Sequence, residues 1–180
     1  QRLSRGLGDV YKRQDLARLR KMLRRVTGDD AETVRRRLAK RDEARVLDIA
    51  CGDCREAEVL TDFIAELKGP SESAVKLTGI DVRAREIADA QRRYGGKRKF
   101  KDRPGSRECD FMTGDASKLD QHAEMGEDFD LVFMRHQNYW HSARTWEEIY
   151  DQALAKLGDD GRLIITSYFD KEHELALEAI

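Results

Sequence analysis

The sequence predicts an α/β fold: one mostly parallel, doubly wound sheet with helices on both faces and a helical preamble in front of it. Three observations carry this reading. Short apolar runs alternate with longer segments whose apolar residues recur at helical spacing. An acidic or Gly-Asp punctuation follows the first three strand-like runs, at Asp48–Asp53, Asp81 and Asp115. The chain has 180 residues, 39% of them hydrophobic, which is room for one core and hardly for two.

The charged share is 38%, against about 25% in typical domains. It is balanced, 34 basic to 35 acidic residues, so no global field recruits nucleic acid or an anionic membrane. No apolar run approaches the ~18 residues of a membrane span, and the first residues lack a signal-peptide core. Three cysteines make no disulfide framework. The expectation is a soluble, cytoplasmic protein without a membrane partner.

Residues 4–14 read SRGLGDVYKRQ, which resembles the conceptual translation of a sequencing adapter. Residues 1–14 are therefore expected to stand outside the evolved fold. They carry four bases and one acid, and without them the net charge moves from −1 to −4.

The preamble is residues 15–44. Leu16, Leu19, Met22, Leu23 and Val26 trace one helix, closed by Gly28. A second helix starts near Asp30, passes Val34 and Leu38, and carries Arg35, Arg36, Arg37, Lys40 and Arg41. That basic face reads either as a contact for RNA or an anionic substrate or as a solvated helix face. Residues 45–50 are a first strand, and Cys51-Gly52-Asp53-Cys54 a tight turn. Val59, Leu60, Phe63, Ile64 and Leu67 then line a helix stopped by Lys68-Gly69-Pro70. Residues 68–74 are expected to loop over the surface before a second strand, 75–80, that ends at Asp81.

A helix through Ile87, Ala88 and Tyr94 ends at Gly95-Gly96. A basic polar loop, 97–107, with Phe100 interleaved, leads to a third strand at 109–113. Nucleic-acid contact there is one reading, a mobile solvated loop the other. Residues 129–134 form a fourth strand and 162–168 a fifth. Between them Trp146, Ile149, Tyr150, Ala153, Leu154 and Leu157 form a helix face, with Thr145 and Glu148 as a capping box. Gly158-Asp159-Asp160-Gly161 supplies the turn into the fifth strand. Five strands are thus visible.

In such sheets a ligand lies beyond the carboxyl ends of the strands, so chemistry is expected at 50–54, Asp81, Asp115, 135–141 and Tyr168. Here the chain resembles the class I S-adenosylmethionine-dependent methyltransferases, a Rossmann-like family. VLDIACGDC resembles the glycine-rich first motif, GID the second strand end, GDA the third, FDLVFMRH the fourth-strand motif, and LGDDGRLIIT the turn and fifth strand. The resemblance covers about residues 45–169, and the order of the five motifs is its specific part. The methyltransferase domain is accordingly 45–180. The family's sheet continues into an antiparallel hairpin after the helix that holds Leu175, Leu177 and Ile180, so the chain is expected to be cut before it, leaving the fifth strand as an edge.

The resemblance implies S-adenosylmethionine as cofactor, held by Asp48, Ala50, Cys51, Gly52, Asp53, Asp81, Val82, Gly114, Asp115, Ala116 and Arg135. Gly52 lets backbone approach the cofactor. Asp48 accepts from loop amides or the cofactor amine, and the free amides near Cys54 and Arg55 suit its carboxylate. Asp81 offers two acceptors to the ribose diol, Asp115 accepts from the adenine amine, and the Ala116 amide donates to the ring. The family carries glycine where Ala50 and Cys54 stand, and Cys54 is expected to crowd the ligand. His136 is the candidate general base, and His141 sits near the next helix cap. Asp130 opens its strand and reads as a turn residue.

Two rivals share these residues. Cys51-x-x-Cys54 resembles a redox pair, but Pro70 and Pro104 lie in polar loops where no cis-proline would face it, and a metal site lacks its second ligand pair. A nicotinamide fingerprint would need a small residue at Arg55. No metal is expected. No Asn-Pro-Pro-Tyr-like or Pro-Cys segment follows the fourth strand, which favours a small-molecule acceptor over a nucleic-acid base.

Overall fold

The computed structural model describes residues 2–69 and 73–180, with side chains from residue 10 onward. Two helices, α1 (Arg2–Val26) and α2 (Ala31–Ala39), precede the sheet. There follow β1 (Glu43–Ile49), α3 (Ala57–Lys68), β2 (Ser73–Asp81), α4 (Ala84–Tyr94), β3 (Gly96–Lys99) and β4 (Gly105–Thr113). The chain closes with β5 (Phe129–Arg135), α5 (Ala143–Lys156), β6 (Leu157–Thr166) and α6 (Asp170–Glu178).

The sheet has six strands in the order β3-β4-β2-β1-β5-β6, parallel throughout except for β3 against β4. The chain order reverses between β1 and β5, which opens a crevice at their carboxyl ends. β1 and β5 are apolar on both sides, as parallel strands covered on both faces must be. Val46, Leu131 and Phe133 meet α1 to α4, whereas Leu47, Ile49, Val132 and Met134 meet α5 and α6. The preamble is part of this core: Leu19, Leu23, Val34 and Leu38 are buried. Met22 and Val26 are exposed, so the buried strip of α1 is Leu16, Leu19 and Leu23.

The sixth strand corrects the expected count of five. Residues 97–107 are a hairpin, not a mobile loop: Lys97 pairs with Glu108 and Lys99 with Ser106 in antiparallel register. Gly96 to Lys99 is exposed on both faces and lacks the alternation that marks a half-buried strand. Its order comes from β4 beside it. The expected surface loop at 68–74 shrinks, because Ser73 and Ala74 already pair within β2; residues 70–72 lie outside the described residues.

The Thr145 and Glu148 capping box is not formed, because α5 starts two residues earlier at Ala143, with Ser142 as its cap. Gly158 to Gly161 does turn, but as a bulge inside β6: Leu157 pairs with Phe129 and Arg162 with Leu131. β6 ends at Thr166, leaving Tyr168 in the loop beyond, and it is an edge strand as expected.

The basic face of α2 is half clamp, half solvated. Arg37 Nε donates to Asp130 Oδ1 at 2.6 Å and its Nη2 to Asp128 at 2.9 Å. Asp130 Oδ2 accepts the Arg45 backbone N–H at 2.7 Å. Asp130 is thus a buried tie between the preamble, β1 and β5 rather than a turn residue. No helix among the described residues is long and apolar enough to cross a membrane.

Candidate active site

Three of the five residues after β1 adopt left-handed backbone conformations: Ala50 at φ 55°, Gly52 at φ 57° and Cys54 at φ 45°. These conformations turn the chain tightly, and the turn is closed by Cys54 N–H donating to the Cys51 carbonyl at 2.8 Å. Only glycine enters this region freely; an alanine or cysteine there costs about 1–2 kcal/mol. Glycine at 50 and 54 would therefore be a backbone requirement rather than a matter of room for a ligand. Cys54 does not crowd the site. It is wholly buried, and its thiol donates to Asp48 Oδ2 at 3.1 Å. Its amide, expected to be free, is spent on Cys51.

Asp48 lies beneath the turn with no exposed surface. It meets no loop amide, and its Oδ1 has no hydrogen-bond partner. Burial, and then the Glu56 carboxylate, push its carboxyl well above the usual range. Cys54 is raised by burial and by the Cys51 thiol. At Cys51 the Cys54 hydrogen bond pulls downward, but burial and the Asp48 carboxyl prevail and the thiol is raised. Raised, buried thiols are the opposite of a redox-active pair, and all three cysteines are free. Among the described residues no group of three or more His, Cys, Asp or Glu could hold a metal.

Asp81 joins the turn to β2. Its Oδ2 accepts the Gly52 N–H at 2.8 Å, and its carbonyl accepts the Gly114 N–H at 3.0 Å. Arg83, which the sequence reading passed over, fills the rest: its backbone N–H and Nε reach Oδ1 at 2.9 Å each, and Nη2 reaches Oδ2 at 3.1 Å. Burial works against the Asp81 charge, but these bonds win and hold its carboxyl below the usual range. The Arg83 side chain is 60% exposed and lies over Gly52, where a Cβ would come within 3.0 Å of Nη2. A base two residues after the strand-end acid was the available signal.

A cleft of about 380 Å³ opens at the switch point, within the ~300–1,000 Å³ span of small-molecule sites. It gathers Ala50, Cys51, Gly52, Asp53, Arg135 and His136, together with Arg55, Glu56, Arg83, Glu86 and Tyr168. Lys12, Asp15 and Leu16 of α1 form one wall. Asp48 and Asp81 are buried next to the turn rather than lining the cleft. Val82, 66% exposed, stands outside it, as do Gly114, Asp115 and Ala116. Asp115 caps the 3₁₀ helix Ala116–Gln121, its Oδ1 accepting from Ser117 N–H at 2.9 Å and Oγ at 2.8 Å. Arg55, which stands where a nicotinamide fingerprint would need a small residue, pairs with Asp53 at 2.7 Å.

His136 follows β5 at φ 58° and stacks on Tyr168, ring centroids 3.5 Å apart and 8° from parallel. Its Nδ1 is buried without a hydrogen-bond partner. Burial, and then Arg135, lower its pKa below the usual histidine value, so the ring is neutral at pH 7. Arg135 is tethered to Asp15 at 2.7 Å. His141 ends a 3₁₀ turn, Tyr139–His141, two residues before α5.

Residues 40–179 match the family described as a methyltransferase domain. The chain belongs to that family. Solved structures show the same fold. A SAM-dependent methyltransferase from Methanosarcina mazei is 19% identical over 77% of this chain and 59% of its own, with a TM-score of 0.50. One from Agrobacterium tumefaciens is 18% identical over 85% and 49%, TM-score 0.50. A chain of the fibrillarin/Nop5p complex is 16% identical over 77% and 60%, TM-score 0.50. This methyltransferase domain thus spans about half to three-fifths of the length of these structures. No curated protein matches the sequence.

Two stability measurements test this geometry. A carboxyl raised on folding holds its proton more tightly in the folded state, so stability falls as pH climbs above the unfolded value of about 3.9. Asp48→Asn removes that loss: the variant is expected to be more stable than the parent in urea at pH 7, with the gain shrinking toward pH 4. Ala50→Gly relieves the left-handed strain and is expected to gain about 0.5–1 kcal/mol after glycine's greater unfolded freedom is subtracted, read as a higher Tm.

Proposed function

We propose that this domain transfers the methyl group of S-adenosylmethionine to a small-molecule acceptor. The observation that supports it most is the Gly52–Asp81 bond, which fixes a carboxylate beside a glycine whose outer face meets only a flexible arginine. Released from Arg83, Asp81 has acceptors for the two ribose hydroxyls while the Gly52 amide keeps it in place. Asp53 opposite Arg55 and Arg135 supplies both charges for the zwitterionic amino-acid end. The exposed Val82 offers an apolar face to the adenine, with the second Asp115 oxygen and the Ala116 amide at its edge. In this reading the donor displaces Arg83 from Asp81 and exchanges the Arg55–Asp53 and Arg135–Asp15 pairs for its own two charges.

The bound donor supplies an electrophilic methyl on a sulfonium. The protein's part is to align an acceptor with it and keep water out, which needs little side-chain chemistry. His136, neutral and held by Tyr168, takes the proton that the acceptor loses. The α1 wall and the absence of an Asn-Pro-Pro-Tyr segment support a small acceptor.

Calorimetric titration with S-adenosylhomocysteine is expected to give saturable binding that Asp81→Ala weakens at least tenfold, with no binding of NAD. Arg83→Ala is expected to bind about two- to fivefold more tightly, the worth of one exposed ion pair. Absence of binding by the folded protein would overturn the reading.

The base is tested separately. With an acceptor found by screening, His136→Asn is expected to slow single-turnover transfer by about 10²- to 10⁴-fold. The parent rate should stay flat down through the usual histidine range and fall only at lower pH, because burial and Arg135 lower the pKa at which protonation removes the base. A pH profile unchanged in the variant would exclude His136.

A further inference from the structure

Two basic segments of the sequence take no part in the methyl-transfer site, yet the fold brings them together. A cleft of about 1170 Å³ lies at the amino ends of β1, β2 and β4. Its walls carry Arg41, from just after α2, Lys68, at the end of α3, and Lys97, Arg98 and Lys99 of β3; Asp42 is the one acid among the described lining residues. Parallel strands of this length put the opening about 20 Å from the crevice at their carboxyl ends.

Most of the cations here differ from two arginines further along the chain, which are ion-paired with α3: Arg103 pairs with Asp62 at 3.2 Å and Arg107 with Glu58 at 2.6 Å. Lys68, Lys97, Arg98 and Lys99 have no carboxylate partner among the described residues; Lys68 donates to the Asp42 carbonyl and Arg98 to the Arg93 carbonyl. In a chain whose net charge is −1, four unpaired cations around one cleft are a local concentration that composition does not predict.

We infer that this cleft binds the phosphodiester backbone of nucleic acid, at a site separate from methyl transfer. A cleft of this volume has room for more than one phosphate, and cations from α3 and β3 can meet successive phosphates of a chain. Its apolar lining is Ala39, Ala74 and Pro104, which gives a bilayer nothing to bury. No aromatic side chain lines it, since Phe100 is buried under the Arg103 guanidinium, 4.6 Å from the ring. Binding is therefore by charge, without base stacking or sequence readout.

The test uses the whole chain and short fluorescent RNA and DNA duplexes, with binding followed by anisotropy from low to physiological salt. Binding of both duplexes is expected, with Kd near the ~10⁻⁶–10⁻⁴ M of non-specific contacts and log K falling against log salt with a slope of about −3 to −4. The triple variant Lys97→Gln, Arg98→Gln, Lys99→Gln, with its Tm checked, should lose at least tenfold in affinity and about three units of slope. Lys68→Gln, on the opposite wall, should lose about one unit and leaves the hairpin untouched. Binding of one duplex type alone overturns the charge-only mechanism. Unchanged affinity in both variants, no saturable binding at low salt, or binding to phosphatidylserine vesicles in place of the duplexes overturns the inference. None of these outcomes depends on the methyl donor site, which S-adenosylhomocysteine titration of the same variants reads independently.

Discussion

The left-handed turn after β1 is the constraint on which the site depends. Its three positive-φ residues drop Cys54 into the core above Asp48 and aim the buried Gly52 amide at Asp81. A right-handed residue at any of the three would send the start of α3 elsewhere and separate the ends of β1 and β2. Two of the three carry side chains, so the turn is held against its own preference by the burial of Cys54 and Asp48 beneath it. Strain of this kind persists only where the surrounding structure over-determines it.

Burial sets the charge state of the groups around that turn, and it does so in opposite senses. Asp48 has no amide or cation of its own and is driven toward the neutral acid. Asp81, almost as buried, stays ionised because four N–H bonds, from Gly52 and Arg83, converge on it. His136 lies beside Arg135 and is kept neutral. One small region thus holds one carboxyl pushed up and another held down, and the difference between the two lies in hydrogen-bond supply rather than in residue type.

Much of this order was legible in the sequence because it rests on periodicity and on strand-end residues. The alternation of strands and helices, the acid after β2 and the turn at 50–54 follow from local pattern. What was not legible depends on partners far away in the chain. Gly96 to Lys99 forms a strand because β4 lies beside it, not because its residues favour one. Ser142 rather than Thr145 caps α5 because Trp146 N–H donates to the Ser142 carbonyl, in a turn that a spacing rule does not see. Asp130 read as a turn residue because the arginine that buries it is 93 positions earlier.

The same distinction between paired and unpaired charge orders the surface of this highly charged chain. At the carboxyl pole of the sheet the arginines of the cleft have acids: Arg83 with Asp81, Arg55 with Asp53, which Arg93 also meets, and Arg135 with Asp15. A ligand entering there must exchange one ion pair for another, which favours a molecule that brings both charges, as an amino-acid donor does. In the cleft at the amino pole Lys68, Lys97 and Lys99 have no such partners, and a ligand bringing only negative charge meets one acid, Asp42, among the described lining residues. The two poles therefore select opposite kinds of ligand, and the sheet between them keeps the two selections independent. The Arg135–Asp15 bridge adds a consequence at the carboxyl pole: α1 is fastened to the strand that carries His136. A change in the position of that helix would therefore act directly on the wall an acceptor has to pass.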